Sequence, residues 1–168
     1  MQIALGVCTF YDRGVQLCIK MVHLCQIIKI AFDNNQPAIF KVRGMSMFPL
    51  LRDQRDSVKL ELIKEDPKKR DIILYKRDNG QFVLHRIIKV KDGIYTLVGD
   101  NQHVKEYPIR RDQILGVVTS IVRKGKEIDL NKSFFYKMYS FFWCFNLFIR
   151  RVILKIIHTV NKNSYLHE

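Results

Sequence analysis

Length, composition and charge already exclude several kinds of protein. A chain of 168 residues with 48% apolar and 27% charged residues can bury a core in one compact domain with short extensions, and it is too apolar to be intrinsically disordered. Its formal net charge of +13 favours an anionic partner surface, either lipid or nucleic acid. The four cysteines include no C-x-x-C pair and have no histidine at ligand spacing, so they indicate no metal site.

The N-terminal zone, residues 1–34, is predicted to be an amphipathic helical segment. It shows no clear strand pattern, and between residues 15 and 32 its polar residues recur at helical spacing against an apolar remainder. These polar residues are Gln16, Lys20, His23, Gln26 and Lys29. Because they interrupt the apolar residues so often, we do not expect this zone to span a membrane. No signal-peptide cleavage pattern is evident.

The central zone, residues 36–130, is predicted to be one mainly antiparallel β domain. Apolar and polar residues alternate along it, with frequent turn signals between the alternating runs. The turn Asp-Asn-Gly at 78–80 predicts a hairpin of 72–76 with 81–89. Two further hairpins are predicted around Asp-Gly at 92–93 and Lys-Gly-Lys at 124–126, and they pair 86–91 with 94–98 and 117–123 with 127–130.

The C-terminal zone, residues 131–168, is predicted to be a basic, aromatic helix in the membrane interface. Nine of the sixteen residues at 134–149 are aromatic, and this run is shorter than the ~20 apolar residues that a spanning helix needs. Polar residues recur at helical spacing, which puts the aromatic side chains on one side and a basic stripe on the other. The polar positions are Lys137, Ser140, Cys144, Arg151, Lys155, His158 and Lys162. A spanning helix and packing against a protein partner are the alternatives.

Ser46 is the candidate nucleophile. It lies in the segment GMSMFP, residues 44–49, directly after the apolar run 38–42, where a strand is expected to end and the chain to turn sharply. In such a turn the hydroxyl can be held exposed, close to backbone N–H groups that can stabilise an oxyanion. His85, in the apolar run 82–88, can supply the base that this serine needs.

Five blocks in this order resemble the signal peptidase clan, which also contains the LexA-like self-cleaving repressors. The Met-Ser-Met-x-Pro sequence at Ser46 is similar to the nucleophile box of that clan, and KRDIILY at 69–75 is similar to its G-D-I-V-x-[FY] strand. LHRII at 84–88 resembles its V-H-R-V-I strand, GDN at 99–101 its G-D-N box, and ILGVV at 114–118 its closing strand. The resemblance covers about residues 36–130.

The resemblance assigns the base within this clan to His85. Bacterial type I signal peptidases and LexA-like proteins use a lysine, whereas the endoplasmic-reticulum and endospore types use a histidine. A lysine must be desolvated before it can act as a base near neutral pH, while a histidine is already poised there. An acid usually orients such a histidine. Asp100 and Glu106 are both candidates, Glu106 standing where the histidine-type family more often has aspartate, and Asp112 fits the spacing less well.

The resemblance implies a coiled antiparallel β fold, flanked here by an N-terminal and a C-terminal amphipathic helix, and a membrane-associated serine endopeptidase. The substrate implied is a signal or leader peptide with small residues before the cut, added as an extended strand. No metal or organic cofactor is implied. The expected location is an anionic membrane surface, with peripheral or monotopic attachment, and the side that the site faces is left open because the usual N-terminal spanning helix is not expected.

Two other functions fit the same sequence. The first is a LexA-like, DNA-linked regulator that cleaves itself. Residues 1–34 are short for a separate helix-turn-helix domain and no Ala-Gly or Cys-Gly cleavage site is evident, so we expect no nucleic-acid partner. The second is a catalytically idle, membrane-bound module that binds peptides.

Overall fold

The computed structural model describes residues 8–12, 15–19, 21–145, 150, 152–156 and 159. Within them the protein is a mainly antiparallel β structure, as predicted, with one helix before β3 and another after β10. The elements are β1 (Cys8–Asp12), β2 (Val15–Ile19), α1 (Met21–Asp33), β3 (Ala38–Lys41), β4 (Asp56–Glu61), β5 (Ile72–Lys76), β6 (Phe82–Lys91), β7 (Ile94–Val98), β8 (Glu106–Ile109), β9 (Ile114–Arg123), β10 (Lys126–Asp129) and α2 (Phe134–Phe145). A short 3₁₀ helix, Arg111–Gln113, precedes β9.

The three predicted hairpins are confirmed. Strand β5 pairs with β6, β6 with β7, and β9 with β10, all antiparallel. The sheet runs in the order β2-β1-β3-β4-β9-β5-β6-β7-β8, with β10 as a further partner of β9. Long strand β9 therefore joins the two halves of the sheet, because it pairs with both β4 and β5.

Strand β5 is buried on both faces, which explains its unbroken apolar sequence. Ile72 packs in one hydrophobic cluster and Ile73 in a second, since successive side chains of a strand point to opposite sides. In the register of β5 with β6, Ile72 lies opposite Arg86 and Ile73 opposite His85. His85 and Arg86 therefore point to opposite sides of the sheet, and this alternation decides which partners each one meets.

The predicted helix of the N-terminal zone is only partly right. Residues 21–33 do form α1, and Ile28 is buried in the core, but Val15–Ile19 form strand β2. These five residues also alternate, with Val15, Leu17 and Ile19 separated by more polar ones, and β2 pairs along its whole length with β1. Pairing with an earlier part of the chain satisfies the backbone groups of a segment too short for a stable helix of its own.

Helix α2 confirms the first part of the predicted C-terminal helix, although its faces differ from the prediction. Ser140 belongs to the expected polar stripe, yet it is buried against the β domain, as is Trp143. The outward face instead carries exposed apolar side chains together with Lys137: Phe134, Phe135, Met138, Phe141 and Phe142. The correction has a physical reason, since the inward residues have polar tips that bond to buried charges of the domain.

Further along, residues 150, 152–156 and 159 are also helical. Arg151, His158 and Lys162 of the predicted stripe lie outside the described residues. None of the helices in the described ranges combines the length and the apolar character that crossing a membrane requires.

Candidate active site

Ser46 is presented by a tight turn that follows β3. The turn begins at Gly44, whose φ of 89° lies in the left-handed region that favours glycine, and whose N–H donates to Asp53 Oδ1 at 2.8 Å. Met47 and Phe48 are buried directly after the serine and anchor the turn to the core. Ser46 is left half-buried at the surface of the domain. The expectation of a serine displayed where a strand ends is therefore met by the backbone.

His85 is fully buried in the middle of β6, and one of its ring nitrogens faces an acid. Its Nδ1 lies 3.1 Å from Oε1 of Glu106, the first residue of β8. The hydroxyl of Tyr75, from the neighbouring strand, is 3.3 Å from the same Nδ1. A carboxylate can only accept hydrogen bonds, so the proton of the neutral ring belongs on Nδ1, and Nε2 is left with a lone pair.

Glu106 is fixed by two further side chains that sequence reasoning did not identify. Arg77 donates to both carboxylate oxygens, from Nε to Oε2 at 2.8 Å and from Nη2 to Oε1, and the Tyr75 hydroxyl donates to Oε2 at 2.5 Å. Burial raises the pKa of Glu106, but the hydrogen bonds from His85, Arg77 and Tyr75 outweigh burial and hold that pKa well below its usual range. Glu106 is therefore a fixed anion beside the imidazole.

Gly99 brings the serine turn and the imidazole together. A Cβ atom at this residue would lie 2.6 Å from the backbone oxygen of Ser46 and 2.8 Å from Nε2 of His85. Only glycine allows the backbone to approach both groups so closely. The contact continues at Asn101, whose N–H donates to the same Ser46 oxygen at 2.7 Å. The backbone oxygen of Ser46 and the Nε2 atom of His85 thus both lie beside one glycine.

The Nε2 atom of His85 is buried, and it has no hydrogen-bond partner among the described residues. A buried nitrogen that can accept a bond and lacks one is unusual in a folded protein. The atom faces the region of Ser46 and Gly99, where a catalytic base would receive a proton.

Asp100, the other candidate acid, lies on the opposite side of the sheet and pairs with Arg86. The guanidinium donates from Nε to Oδ1 at 2.8 Å and from Nη2 to Oδ2 at 2.7 Å, and both side chains are fully buried. Burial lowers the pKa of Arg86, but the Asp100 carboxylate outweighs burial and raises it above its usual value. Asp112 is exposed and pairs with Arg110 at 3.4 Å. Of the three acids weighed from the sequence, the structure brings Glu106 to His85.

The sequence carries a signal for the partner of Asp100, Arg86, but none for Arg77. Arg86 is a charged residue inside an otherwise apolar strand, which predicts a buried partner of opposite charge. Arg77 lies directly after β5 and opens the turn of the first hairpin, so its sequence position indicates only a turn residue.

No group of three or more histidine, cysteine, aspartate or glutamate side chains in the described part of the chain is arranged to hold a metal ion.

Taken together, the site has a serine on a turn, an imidazole with one open nitrogen beside that turn, and a carboxylate on the other imidazole nitrogen. In a serine triad a histidine takes the proton of the serine hydroxyl while an acid stabilises the imidazolium that forms. The structure shows the contact between the acid and the imidazole and brings the backbone of the serine turn near the other ring nitrogen, but the Ser46 hydroxyl makes no hydrogen bond to Nε2.

Comparison with known proteins is consistent with this chemistry. The model of the Peptidase S24-like family matches residues 17–119, a range that contains Ser46, His85, Asp100 and Glu106. No curated protein and no solved structure matches the chain. Because the family match covers more than half of the 168 residues, the protein belongs to the Peptidase S24-like family.

Proposed function

We propose that the protein is a membrane-associated serine endopeptidase that cleaves signal or leader peptides, with Ser46 as nucleophile, His85 as base and Glu106 as the acid. The observation that carries the proposal is the His85 ring, which has Glu106 at Nδ1 and, beside the Ser46 turn, an Nε2 that bonds to none of the described residues. Membership of a serine peptidase family supports the same reaction type.

In the proposed reaction the Ser46 oxygen attacks the scissile carbonyl carbon as its proton moves to Nε2 of His85. The Glu106 carboxylate stabilises the imidazolium, and the backbone N–H of Ser46 helps to bind the oxyanion. The imidazolium then gives its proton to the leaving amine, which breaks the peptide bond and leaves an acyl group on the serine. Water, deprotonated by the same imidazole, releases the acyl group as a carboxylic acid and restores the hydroxyl.

The identity of the base, lysine or histidine, indicates which branch of the clan shares the proposed mechanism. LexA-like members use lysine, whereas this chain has His85 in the position of the base. A histidine with an ordered acid can accept the serine proton without the desolvation that a lysine base requires. The Glu106 contact therefore favours the histidine-type mechanism of the endoplasmic-reticulum and endospore signal peptidases.

The outward face of α2 supports attachment to an anionic membrane. Phe135 is 79% exposed, Phe134 70% and Phe142 64%, an arrangement that a helix on the surface of a soluble domain rarely shows. Basic groups border this face, since Lys137 is exposed on it and the Arg70 guanidinium lies 5.8 Å from the centre of the Phe141 ring. Apolar side chains flanked by cations suit the boundary between acyl chains and anionic headgroups.

The test is the identification of peptides cut by the liposome-bound protein, by mass spectrometry. Wild type is compared with Ser46→Ala and His85→Ala, and Ser57→Ala on β4 serves as the matched control. We expect one defined cut with small residues before it, absent from the first two variants and retained in the control. Cleavage that survives both Ser46→Ala and His85→Ala would show that catalysis is assigned to the wrong residues.

A second candidate is self-cleavage of the LexA-like kind, which the Peptidase S24-like match favours. Incubation of the purified chain, followed by its intact mass, separates the two. A self-cleaving protein loses a fragment of its own chain at a rate independent of concentration, and the loss stops in Ser46→Ala. A peptidase that acts on other chains stays intact while it cuts added peptide.

A further inference from the structure

The inward face of α2 forms hydrogen bonds with a loop that contacts the candidate active site. This loop, residues 99–102, begins with Gly99 and is called the 99–102 loop below. The Tyr139 hydroxyl donates to Oδ2 of Asp100 at 3.1 Å, and the Trp143 indole N–H donates to the backbone oxygen of Asp100 at 3.2 Å. The two rings stack on each other with centroids 5.0 Å apart. One helix face thus supplies two bonds to a single loop residue.

Arg150 bonds to the same loop from beyond α2. Its side chain is almost completely buried, with 1% exposure, and its Nη2 donates to the backbone oxygens of Gly99 and, at 2.6 Å, Gln102. The guanidinium lies 5.7 Å from the centre of the Trp143 ring. Burying an arginine is costly, and Nη2 offsets part of this cost by donating to carbonyl oxygens at both ends of the 99–102 loop, while Nε and Nη1 have no partner among the described residues.

The helix also bonds to the strand that carries the base. Arg86, which follows His85 on β6, donates from Nη1 to the Tyr136 hydroxyl at 2.9 Å and to the Ser140 hydroxyl at 3.2 Å. The inward face of α2 is therefore joined to the site at two places, the 99–102 loop and β6.

The 99–102 loop in turn contacts the imidazole of His85 and the backbone of the serine turn. Gly99 lies against the Ser46 backbone and Nε2 of His85, and Asn101 donates to the Ser46 oxygen. A movement of the loop by a fraction of an ångström would change the approach of the serine turn to the imidazole. Misplacement of reacting groups by about 1 Å can cost on the order of 10²-fold in rate.

We propose that Tyr139, Trp143 and Arg150 are positioning residues of the active site, which act through the 99–102 loop to keep the Ser46 turn beside His85. The proposal rests on the serine peptidase function given above. It assigns the C-terminal segment a part in catalysis in addition to membrane attachment, so that the inward and outward faces of α2 have different tasks.

The test measures kcat and KM separately, on a water-soluble peptide that contains the identified cut site and without lipid. Arg150→Met is expected to lower kcat about 10- to 100-fold with KM little changed, because the loop is displaced and the peptide-binding surface is not. Arg150→Lys should recover part of the rate, since an ammonium can still donate to both carbonyl oxygens. Arg110→Met on the surface is the matched control and should match wild type.

Tyr139→Phe is the milder companion variant, which keeps the ring and its stacking and removes only the hydroxyl. We expect kcat to fall about 3- to 10-fold, a part of the roughly 10²-fold that a misplacement of about 1 Å can cost, because the other bonds to the loop remain. Trp143 is the only tryptophan of the chain, so its fluorescence reports whether the helix stays docked in each variant. Should Arg150→Met fail to fold, the Tyr139→Phe result decides.

Unchanged kcat in both Arg150→Met and Tyr139→Phe would overturn the proposal, and so would a rise in KM alone. The experiments distinguish failure of the positioning proposal from failure of the peptidase proposal. If Ser46→Ala abolishes cleavage while these variants cleave like wild type, only the positioning role is wrong. If Ser46→Ala cleaves like wild type, the peptidase assignment itself is wrong.

Discussion

Two neighbouring residues of β6, His85 and Arg86, each hold one carboxylate, and the two sides of the sheet differ in what that carboxylate does. On the Arg86 side, Asp100 is completely buried and neutralised by a bidentate ion pair, and α2 covers both. On the His85 side, Glu106 faces an imidazole whose second nitrogen has no partner among the described residues. On the first side the two buried charges are paired with each other, whereas on the second a buried ring nitrogen makes no hydrogen bond to the described residues.

The difference shows how similar residue types come to have different tasks. A carboxylate paired with arginine has no reason to change its protonation, because arginine stays charged at all ordinary pH values. A carboxylate paired with an imidazole stabilises a positive charge that comes and goes during a reaction. The predictions below test this division, beginning with the largest expected effect.

Glu106→Gln should have the largest effect on activity. The amide keeps the size of the side chain but cannot stabilise an imidazolium or select the tautomer, so kcat/KM should fall by about 10³- to 10⁴-fold. Asp112→Asn, an exposed acid that pairs with Arg110, is the matched control and should change the rate little. Peptide cleavage kinetics measure both. A loss of less than about 10-fold in Glu106→Gln would remove Glu106 from the proposed mechanism.

Arg86→Met should have the largest effect on stability. The change leaves the Asp100 charge buried without its partner, which costs about 3–5 kcal/mol in the free energy of unfolding. Urea denaturation followed by Trp143 fluorescence measures the loss. Combining Arg86→Met with Asp100→Leu should recover part of it, because no unpaired charge then remains. If Arg86→Met unfolds at the same urea concentration as wild type, the buried ion pair does not contribute to stability as predicted.

Arg77→Met should change the pH dependence of activity. Burial raises the pKa of Glu106 and Arg77 helps to hold it down, so removal of Arg77 moves that pKa upward. Glu106 must be ionised to support the base, and its protonation would then begin at a higher pH as the solution is acidified. The acid limb of kcat/KM should shift to higher pH, because loss of the neighbouring cation lets the Glu106–His85 pair bind a proton at a higher pH. An unmoved acid limb would contradict the role assigned to Arg77.

Substitutions on the outward face of α2 should have the smallest effect on catalysis. Phe135→Ser and Phe142→Ser together remove two exposed rings and should weaken partition into anionic vesicles by about 10- to 100-fold. Cleavage of a water-soluble peptide should stay at the wild-type rate, because neither ring contributes to the inward face. Vesicle sedimentation measures binding, and Val104→Ser, another exposed apolar residue, is the control. Equal binding by wild type and the double variant would end the membrane proposal for this face.

The sequence predicts the local parts of this fold well, and prediction fails where an element is stabilised by a partner that its own sequence does not reveal. The hairpin of β5 and β6 follows from the turn between them, and Gly44 and the apolar run before it predict the display of Ser46. Strand β2 was missed because its stability comes from pairing with β1, which a helical periodicity count does not include. Local sequence is a poor guide wherever the partner lies elsewhere in the chain.

The choice between Asp100 and Glu106 shows the same limit within the site. Both acids follow His85 at plausible spacing, and only the alternation of β6 and the path from β7 to β8 decide which one reaches the imidazole. Tyr75 and Arg77 come close to Glu106 because β5 pairs with β6, a relation that no spacing along the chain expresses. The periodicity of α2 likewise predicts Ser140 in a polar stripe and Trp143 on the aromatic, membrane-facing side, whereas both are buried, because they bond to Arg86 and Asp100 beneath the helix.

The most direct test of the central claim is a double-mutant comparison of Ser46→Ala and His85→Ala on one peptide. Residues that act as a nucleophile–base unit are strongly non-additive, so each single variant should fall to nearly the same residual kcat/KM and the double variant should fall no further. If the losses in the two single variants multiply in the double variant, or if either single variant keeps the wild-type rate, the two residues do not form the proposed unit.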